Sequence, residues 1–370
     1  MEIPFFDSQR HFDARADDLQ TAVAAVLASG RYIGGPALSE FEDAFARYCG
    51  TRHCVGIASG TAALHVALLA LGVGPGDEVL TVPTTFAATV EAILYVGATP
   101  TFVDVDEATG GIDPAQLDGA ITKKTKAVVP VHLHGQLGSI AEVVEIAAAA
   151  GVTIVEDACQ AHGARTEGRR AGSLGAIGCF SFYPTKNLGA CGEAGAVVTD
   201  DASVAEQMRC LLDHGQMTKY RHRVLGFNYR LDAVQAAILR TRLDDLDREN
   251  AVRRELATLY DDELAGCPLD LPCRDRDREE VFHHYVVRTT QRDELQTRLE
   301  LRGVGTAIHY PVPVHLQPAY ADLAYPPGSF PVAEKRSREV LSLPMFPELR
   351  PDEVRTVCAF IREFFDSQPR

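Results

Sequence analysis

A mainly parallel α/β sheet flanked by helices, with a smaller α+β unit after it, is the architecture this sequence predicts. Three observations carry the prediction. Short apolar runs rich in Val and Ile alternate with helix-length amphipathic segments between about residues 53 and 200. The rhythm then changes to a long, charged helical stretch from Leu231 to Leu264. Beyond the break at CPLDLPC (267–273), one strand-like segment is joined by helices and a proline-rich loop.

Taken in order, HCVGIA (53–58), DEVLTVP (77–83), TPTFVDV (99–105), TKAVVPVH (125–132), VTIVED (152–157), IGCFSF (177–182) and GAVVTD (195–200) read as strands. Most have the unbroken apolar character of strands buried on both faces. TAALHVALLALG (61–72), TFAATVEAILYVG (85–97) and SIAEVVEIAAAAG (139–151) read as helices, the first and third closed by the glycine common at helix C-termini. The second unit begins with the strand HHYVVRT (283–289) and the helix RDELQTRLELRG (292–303). The proline-rich loop (311–331) and two closing helices complete it. The boundary is expected near residue 250, inside the long helix, giving a large domain over 1–250 and a small one over 251–370.

A chain of 370 residues, 46% hydrophobic and 24% charged, can bury a large core. Its net charge of −15 excludes nucleic acid or an anionic membrane held by a broad basic face. The start MEIPFFDSQR lacks the basic and apolar regions of a signal peptide, and no apolar run is long enough to span a bilayer, so a cytoplasmic protein is expected. The nine cysteines, an odd number without a C-x-x-C pair, read as reduced, mostly buried thiols.

In open α/β sheets ligands bind beyond the carboxyl ends of the strands, and four polar clusters fall there. ASGTAAL (58–64) sets Ser, Gly and Thr between a strand and a helix, where free N–H groups and the helix dipole receive a phosphate. VEDACQAHGA (155–164) ends an apolar strand in Glu156 and Asp157. FSFYPTKNLGA (180–190) places Lys186 among Phe180, Phe182 and Tyr183, an apolar setting that lowers an ammonium pKa. GFNYRLD (226–232) offers an Asn and an Arg before the long helix. Each cluster alone has an ordinary explanation as a cap, a solvated strand end or a surface lysine. Together they supply what pyridoxal phosphate needs: a phosphate seat, a lysine for a Schiff base, and a carboxylate that keeps the pyridine nitrogen protonated.

Over nearly its whole length the chain resembles the sugar aminotransferases of the family named for DegT, DnrJ, EryC1 and StrS, which are fold-type I PLP-dependent transferases. GGPALSEFEDAFARYCG, ASGTAALHVALLALGVGPGDEVL, VPTTFAAT, VEDACQAHGA, FSFYPTKNLGACGEAGAVVTDD, GFNYRLDAVQAAIL and HYPVPVHLQPAYADL carry the resemblance, in the family's order. It implies that Lys186 bonds to the cofactor, Asp157 pairs with the pyridinium nitrogen and Gln160 lies by the ring. It also implies that Gly60 and Thr61 amides with Ser181 seat the phosphate and that Phe86 stacks on the ring. By the same resemblance Asn228 reaches the phosphate of the neighbouring subunit, with Arg230 beside it facing substrate, in a homodimer with shared active sites. Cys159 stands where the family often has alanine, and CGEAGA (191–196) replaces a more typical Leu-Gly-Asp-Gly run. Some relatives replace the lysine by histidine and dehydrate sugars, so the retained Lys186 favours transamination.

The expected reaction is ping-pong. L-glutamate donates its amino group and leaves as 2-oxoglutarate, and the pyridoxamine 5′-phosphate form then aminates a nucleotide-linked keto-sugar. Local cations are needed for the anionic substrates, with Arg230 and His309 as candidates and Tyr310 and His315 as further substrate-binding residues. The ordinary alternative for His309, Tyr310 and His315 is packing in a proline-rich loop that closes the small domain onto the large one. The texture of HYPVPVHLQPAY points to C3 of a deoxyhexose on dTDP or UDP. A C4 or cyclitol aminotransferase and an aminobenzoate-precursor dehydratase are the alternatives. Two readings from other classes fare worse: a DNA-binding regulator lacks a basic reading helix. A zinc site on VHLH (131–134), with His132 and His134 on one strand face and His162 nearby, lacks a clear further ligand set.

Overall fold

The computed structural model describes residues 2–367. All the strands predicted before residue 201 join one seven-stranded sheet: β1 (His53–Ile57), β2 (Glu78–Thr81), β3 (Thr99–Phe102), β4 (Thr125–Val128), β5 (Thr153–Asp157), β6 (Ile177–Ser181) and β7 (Gly195–Thr199). Their spatial order is β1-β7-β6-β5-β4-β2-β3. Only β7 runs antiparallel, to both of its neighbours. The reason is local: the connection from Phe182 to Ala194 contains no helix, so the chain turns straight back. Phe182 N–H donates to Ala194 O at 2.8 Å at the base of that reversal. Lys186 lies within it, at the carboxyl end of β6.

Besides two short helices, Ser8–Asp13 and Pro114–Ala120, the helices are α1 (Ala16–Ser29), α2 (Pro36–Cys49), α3 (Gly60–Ala70), α4 (Ala87–Tyr95), α5 (Ile140–Ala150), α6 (Ala202–Leu212), α7 (Ala233–Leu243), α8 (Leu246–Leu264), α9 (Arg292–Leu301), α10 (Pro331–Glu339) and α11 (Pro351–Asp366). Alternate residues of the central strands enter different cores. Leu80, Val128 and Ile154 pack on the face that holds Phe41 and Phe45 of α2. Val79, Ala127 and Val155 pack on the opposite face, against Leu64 of α3 and Met208 of α6. Burial on both faces explains the unbroken apolar strands, and each such side chain contributes about 1.5–3 kcal/mol.

A third core gathers Leu256, Tyr260, Tyr285, Phe346 and Ile361, with Ile3 of the N-terminal segment. Its two-stranded antiparallel sheet pairs β8 (Tyr285–Arg288) with β9 (Val340–Leu343). Two expectations are corrected here. The stretch 231–264 is two helices that break at Asp244 and Asp245. There the aspartate side chains bind Arg240, Arg248 and Arg15 instead of continuing a helical face. The strand β9 was not foreseen, because VLSL is short and its partner lies far off in sequence.

Candidate active site

The carboxyl ends of β5 and β6 and the N-terminus of α3 converge on Lys186. Its backbone N–H donates to Tyr183 O at 2.8 Å, which forms a tight turn. Among the described residues its ammonium makes no ion pair with a carboxylate. Burial lowers its pKa toward the neutral amine, opposed by the nearby Cys159 and Asp157. The aromatic setting expected from FSFYPTKNLGA is only partly realised. Phe180 and Phe182 point into the α2 core, while Tyr183 is 48% exposed.

The residue after the lysine fixes the turn. Asn187 is buried; its Nδ2 donates to Asn250 Oδ1 at 2.8 Å and to Val281 O at 2.9 Å. Its Oδ1 lies 3.2 Å from His283 Nδ1. Asn250 of α8 donates in turn to His162 O at 2.8 Å. The lysine turn is thus tied to α8 and to the segment entering β8.

Asp157 closes β5 with its side chain buried. One carboxylate oxygen accepts from Thr89 Oγ1 at 2.7 Å and the other from Cys159 N–H at 3.2 Å. Thr85 supports Thr89 at 2.7 Å. No Lys or Arg pairs with Asp157 among the described residues. A buried carboxylate without a cation is costly, and a protonated pyridine nitrogen would supply one.

The phosphate seat is visible in what the chain leaves open. Ser59 caps α3 by accepting from Ala62 N–H at 3.1 Å, and neither the Gly60 nor the Thr61 amide has an acceptor among the described residues. At Gly60 a Cβ would lie 2.6 Å from Ser181 Cβ and 3.0 Å from Cys159 Sγ, so only glycine fits there. The Phe86 ring is 57% exposed at the start of α4 and 5.8 Å from the Tyr310 ring. Gln160 accepts from His134 N–H at 2.7 Å and donates to Tyr310 Oη at 3.4 Å. An unpaired lysine, an unpaired carboxylate, free helix amides and an uncovered aromatic face fit pyridoxal phosphate.

His309 and Tyr310 belong to this group, but not as cations. The His309 ring stacks on His284 at 4.0 Å, and its Nδ1 lies 2.9 Å from Ser342 Oγ. Burial, with a smaller push from Lys186, lowers its pKa to about 4, so the expected cationic role is corrected to that of a neutral ring. The pKa values of His134, His283 and His284 are likewise depressed, again chiefly by burial. Burial also pushes the Tyr310 hydroxyl up, keeping it protonated.

Three predicted residues sit elsewhere. His315 is packed between Phe102 and Phe330 with Nε2 3.2 Å from Glu334 Oε1, which makes it a loop anchor. Arg230 pairs with Asp213 on its own chain. The exposed Asn228 makes no side-chain hydrogen bond among the described residues. Both follow the exposed turn around Tyr220 and Leu225, and Tyr229 O accepts from Ala58 N–H beside β1.

The VHLH face does not exist. His132 binds Glu156 at 2.9 Å, whereas residues Leu133–Gly135 form a 3-10 turn with His134 at φ 63°. Glu156 also accepts from the amides of Gly172, Leu174 and Gly175, which makes it a buried strut. Among the described residues no three His, Cys, Asp or Glu side chains gather to hold a metal. Reading the sequence also missed Thr89 and Asn187. Thr89 stood in the quoted VPTTFAAT, but nothing in its spacing gives it a role.

A sequence model of the DegT/DnrJ/EryC1/StrS aminotransferase family matches residues 13–362. A dTDP-3-amino-3,4,6-trideoxy-alpha-D-glucose transaminase of Streptomyces venezuelae is 48% identical over 364 residues, covering 98% of this chain and 96% of that protein. The crystal structure of S. venezuelae DesV in complex with a ketimine intermediate superposes with a TM-score of 0.97 at 46% identity, covering 100% of both chains. NtdA of Bacillus subtilis with bound cofactor PMP gives a TM-score of 0.90 at 33% identity, covering 98% of this chain and 85% of that one.

Proposed function

The chain belongs to the DegT/DnrJ/EryC1/StrS aminotransferase family, and from that premise we propose that it transfers the amino group of L-glutamate to C3 of a deoxy keto-hexose carried on dTDP or UDP. The observation that carries this reading is the partly buried Lys186 near an equally unpaired, buried Asp157, at the strand ends of a fold shared with DesV.

Pyridoxal phosphate is the cofactor, and when bound it supplies an electron sink for the carbon that loses or gains a proton. Lys186 would bond to it, Asp157 would hold its ring nitrogen charged, and the Gly60 and Thr61 amides with Ser181 would take its phosphate. Phe86 would cover one ring face, with Gln160 at its edge. Thr89 and the Cys159 amide hold the Asp157 carboxylate in place. Lys186, shifted toward the neutral amine, is the base that takes the proton from the donor's α-carbon. The neutral His309 and Tyr310 provide hydrogen bonds to sugar hydroxyls without attracting a second anion.

The same reading makes the protein a homodimer in which Asn228 and Arg230 serve the neighbouring subunit's site. Support comes from the exposed turn that carries them, where Leu225, 94% exposed, and Tyr220, 79% exposed, stand among basic residues. A domain division near residue 250 is supported by the separate core gathered from Leu256 onward, which Ile3 of the N-terminal segment joins. No helix among the described residues is long and apolar enough to cross a membrane. A cytoplasmic location is supported by the unpaired cysteines.

The test is product analysis with pyridoxal phosphate, L-glutamate and dTDP- and UDP-linked 3-keto and 4-keto hexoses. The proposal expects an amino sugar and 2-oxoglutarate in equal amounts from a 3-keto substrate. Turnover of only a 4-keto sugar or an inosose, or loss of water without amine transfer, overturns it.

A further inference from the structure

Beside the lysine site a narrow cleft runs between the two units, lined by Thr84, Thr109, His134, His309, Tyr310 and Arg336. Arg336 enters it from α10. Its guanidinium lies over Gly110, where a Cβ would stand 2.6 Å from Nη2 and where the backbone φ of 72° favours glycine. One nitrogen donates to Glu107 O at 2.7 Å. The Glu107 carboxylate is already held by Arg288 at 2.8 Å and Lys335 at 3.1 Å. Arg336 therefore makes no ion pair among the described residues, although burial, reinforced by Arg288, pulls its pKa down to about 10. The half-buried guanidinium is left without an ion pair, and its planar fork matches a carboxylate.

Two further groups in the same cleft lack partners. Thr84 Oγ1 and His134 Nδ1 are buried without any hydrogen bond. Buried polar atoms are usually satisfied, so two that line one cleft together with an arginine free of ion pairs point to a ligand there. The cleft adjoins the reacting centre: Tyr310 reaches Gln160, and His134 feels both Arg336 and Lys186.

We propose that Arg336, Thr84 and His134 form a carboxylate-binding subsite of the aminotransferase centre. Arg336 binds the carboxylate through its fork, Thr84 donates its hydroxyl proton, and the neutral His134 donates from one ring nitrogen. The inference rests on the aminotransferase reading of the adjoining site. The carboxylate belongs either to the amino donor or to a keto-sugar acid, and the experiment separates these.

The holoenzyme is mixed with L-glutamate and the loss of its visible cofactor band is followed, for the wild type, Arg336→Gln and Arg336→Lys. Single turnovers of the aminated form are then followed with a UDP-linked 3-keto hexuronate and with the matching neutral hexose. If the donor supplies the carboxylate, Arg336→Gln raises the apparent Kd for L-glutamate by about tenfold or more, as loss of a charged hydrogen bond predicts, and Arg336→Lys falls between. If the acceptor supplies it, the donor step is unchanged and only the hexuronate loses affinity. Glutarate, an unreactive dicarboxylate, should perturb the wild-type band and lose affinity in Thr84→Val, a check that stands even where an arginine variant fails to fold. A wild type that reacts normally while Arg336→Gln is unchanged toward L-glutamate and hexuronate overturns the subsite alone. A wild type without a cofactor band overturns the aminotransferase reading as well.

Discussion

Replacing Asn187 by Ala tests whether the turn carrying the lysine is held by its neighbour. The change removes two donated bonds, to Asn250 Oδ1 at 2.8 Å and Val281 O at 2.9 Å, and the 3.2 Å contact with His283. All of these groups are buried. A buried polar group left bare costs about 1–3 kcal/mol. With partial relaxation Asn187→Ala should lower stability by about 2–5 kcal/mol. Asn187→Asp should be worse at neutral pH, because a carboxylate then faces two acceptor oxygens and has nothing to donate. The assay is urea unfolding of the cofactor-saturated protein at fixed concentration, paired with kcat for amine transfer. Lys186 loses its anchored position, so kcat should fall while the KM for L-glutamate changes little. Stability within about 0.5 kcal/mol of the wild type, or Asp no worse than Ala, would refute the reasoning.

Other consequences follow from the same contacts. Thr89→Val removes one of the two donors to Asp157 and should slow amine transfer about tenfold, while Asp157→Asn should slow it by a factor of about a hundred or more, read as kcat/KM. Glu156→Ala strands three backbone amides and should destabilise the protein by about 3–5 kcal/mol in urea unfolding. His315→Ala should lower the melting temperature and leave the KM for both substrates unchanged, because the ring contacts only Glu334 and aromatic packing. Stability should also fall in acid. His309 stays neutral in the folded protein until about pH 4, against an ordinary value of 6.5, so the unfolded chain binds the extra proton between those limits. Its contribution is present above 6.5 and is lost as the pH falls toward 4, at about 1.4 kcal/mol per pH unit. His134, His283 and His284 act in the same direction. Glu280 opposes one of them: burial raises its pKa from 4.5 to about 7, so its contribution is present below 4.5 and lost as the pH rises through 7. Urea midpoints at pH 7.5 and pH 5 should show the net loss; an equal or higher midpoint at pH 5 contradicts the neutral histidines.

The central sheet was legible because its strands are buried on both faces, which leaves continuous Val and Ile runs such as TIVE. The order β1-β7-β6 and the reversed β7 were not, since nothing in GAVVTD records the direction of its neighbours. Lys186 and Asp157 could be found because charge is rare in such runs and the motifs resemble a known family. The rest of the site was hidden for a physical reason. Thr89, Asn187 and Arg336 act through contacts with residues distant in sequence, and each looks ordinary in its own segment: a helix threonine, a turn asparagine, a surface-helix arginine. His309 misled because its charge depends on burial against His284 and on the nearby Lys186 charge, which only the folded chain brings together. His315 shares its loop, yet a 3-10 turn aims it into the Phe102 and Phe330 cluster.

The most direct test of the central claim is the visible spectrum of the protein with pyridoxal phosphate, before and after L-glutamate, for the wild type and Lys186→Ala. The account predicts a Schiff-base band in the wild type that bleaches on adding L-glutamate, and no such band in Lys186→Ala. A wild type without the band, or a Lys186→Ala protein that keeps it, contradicts the assignment of Lys186 and the aminotransferase mechanism built on it.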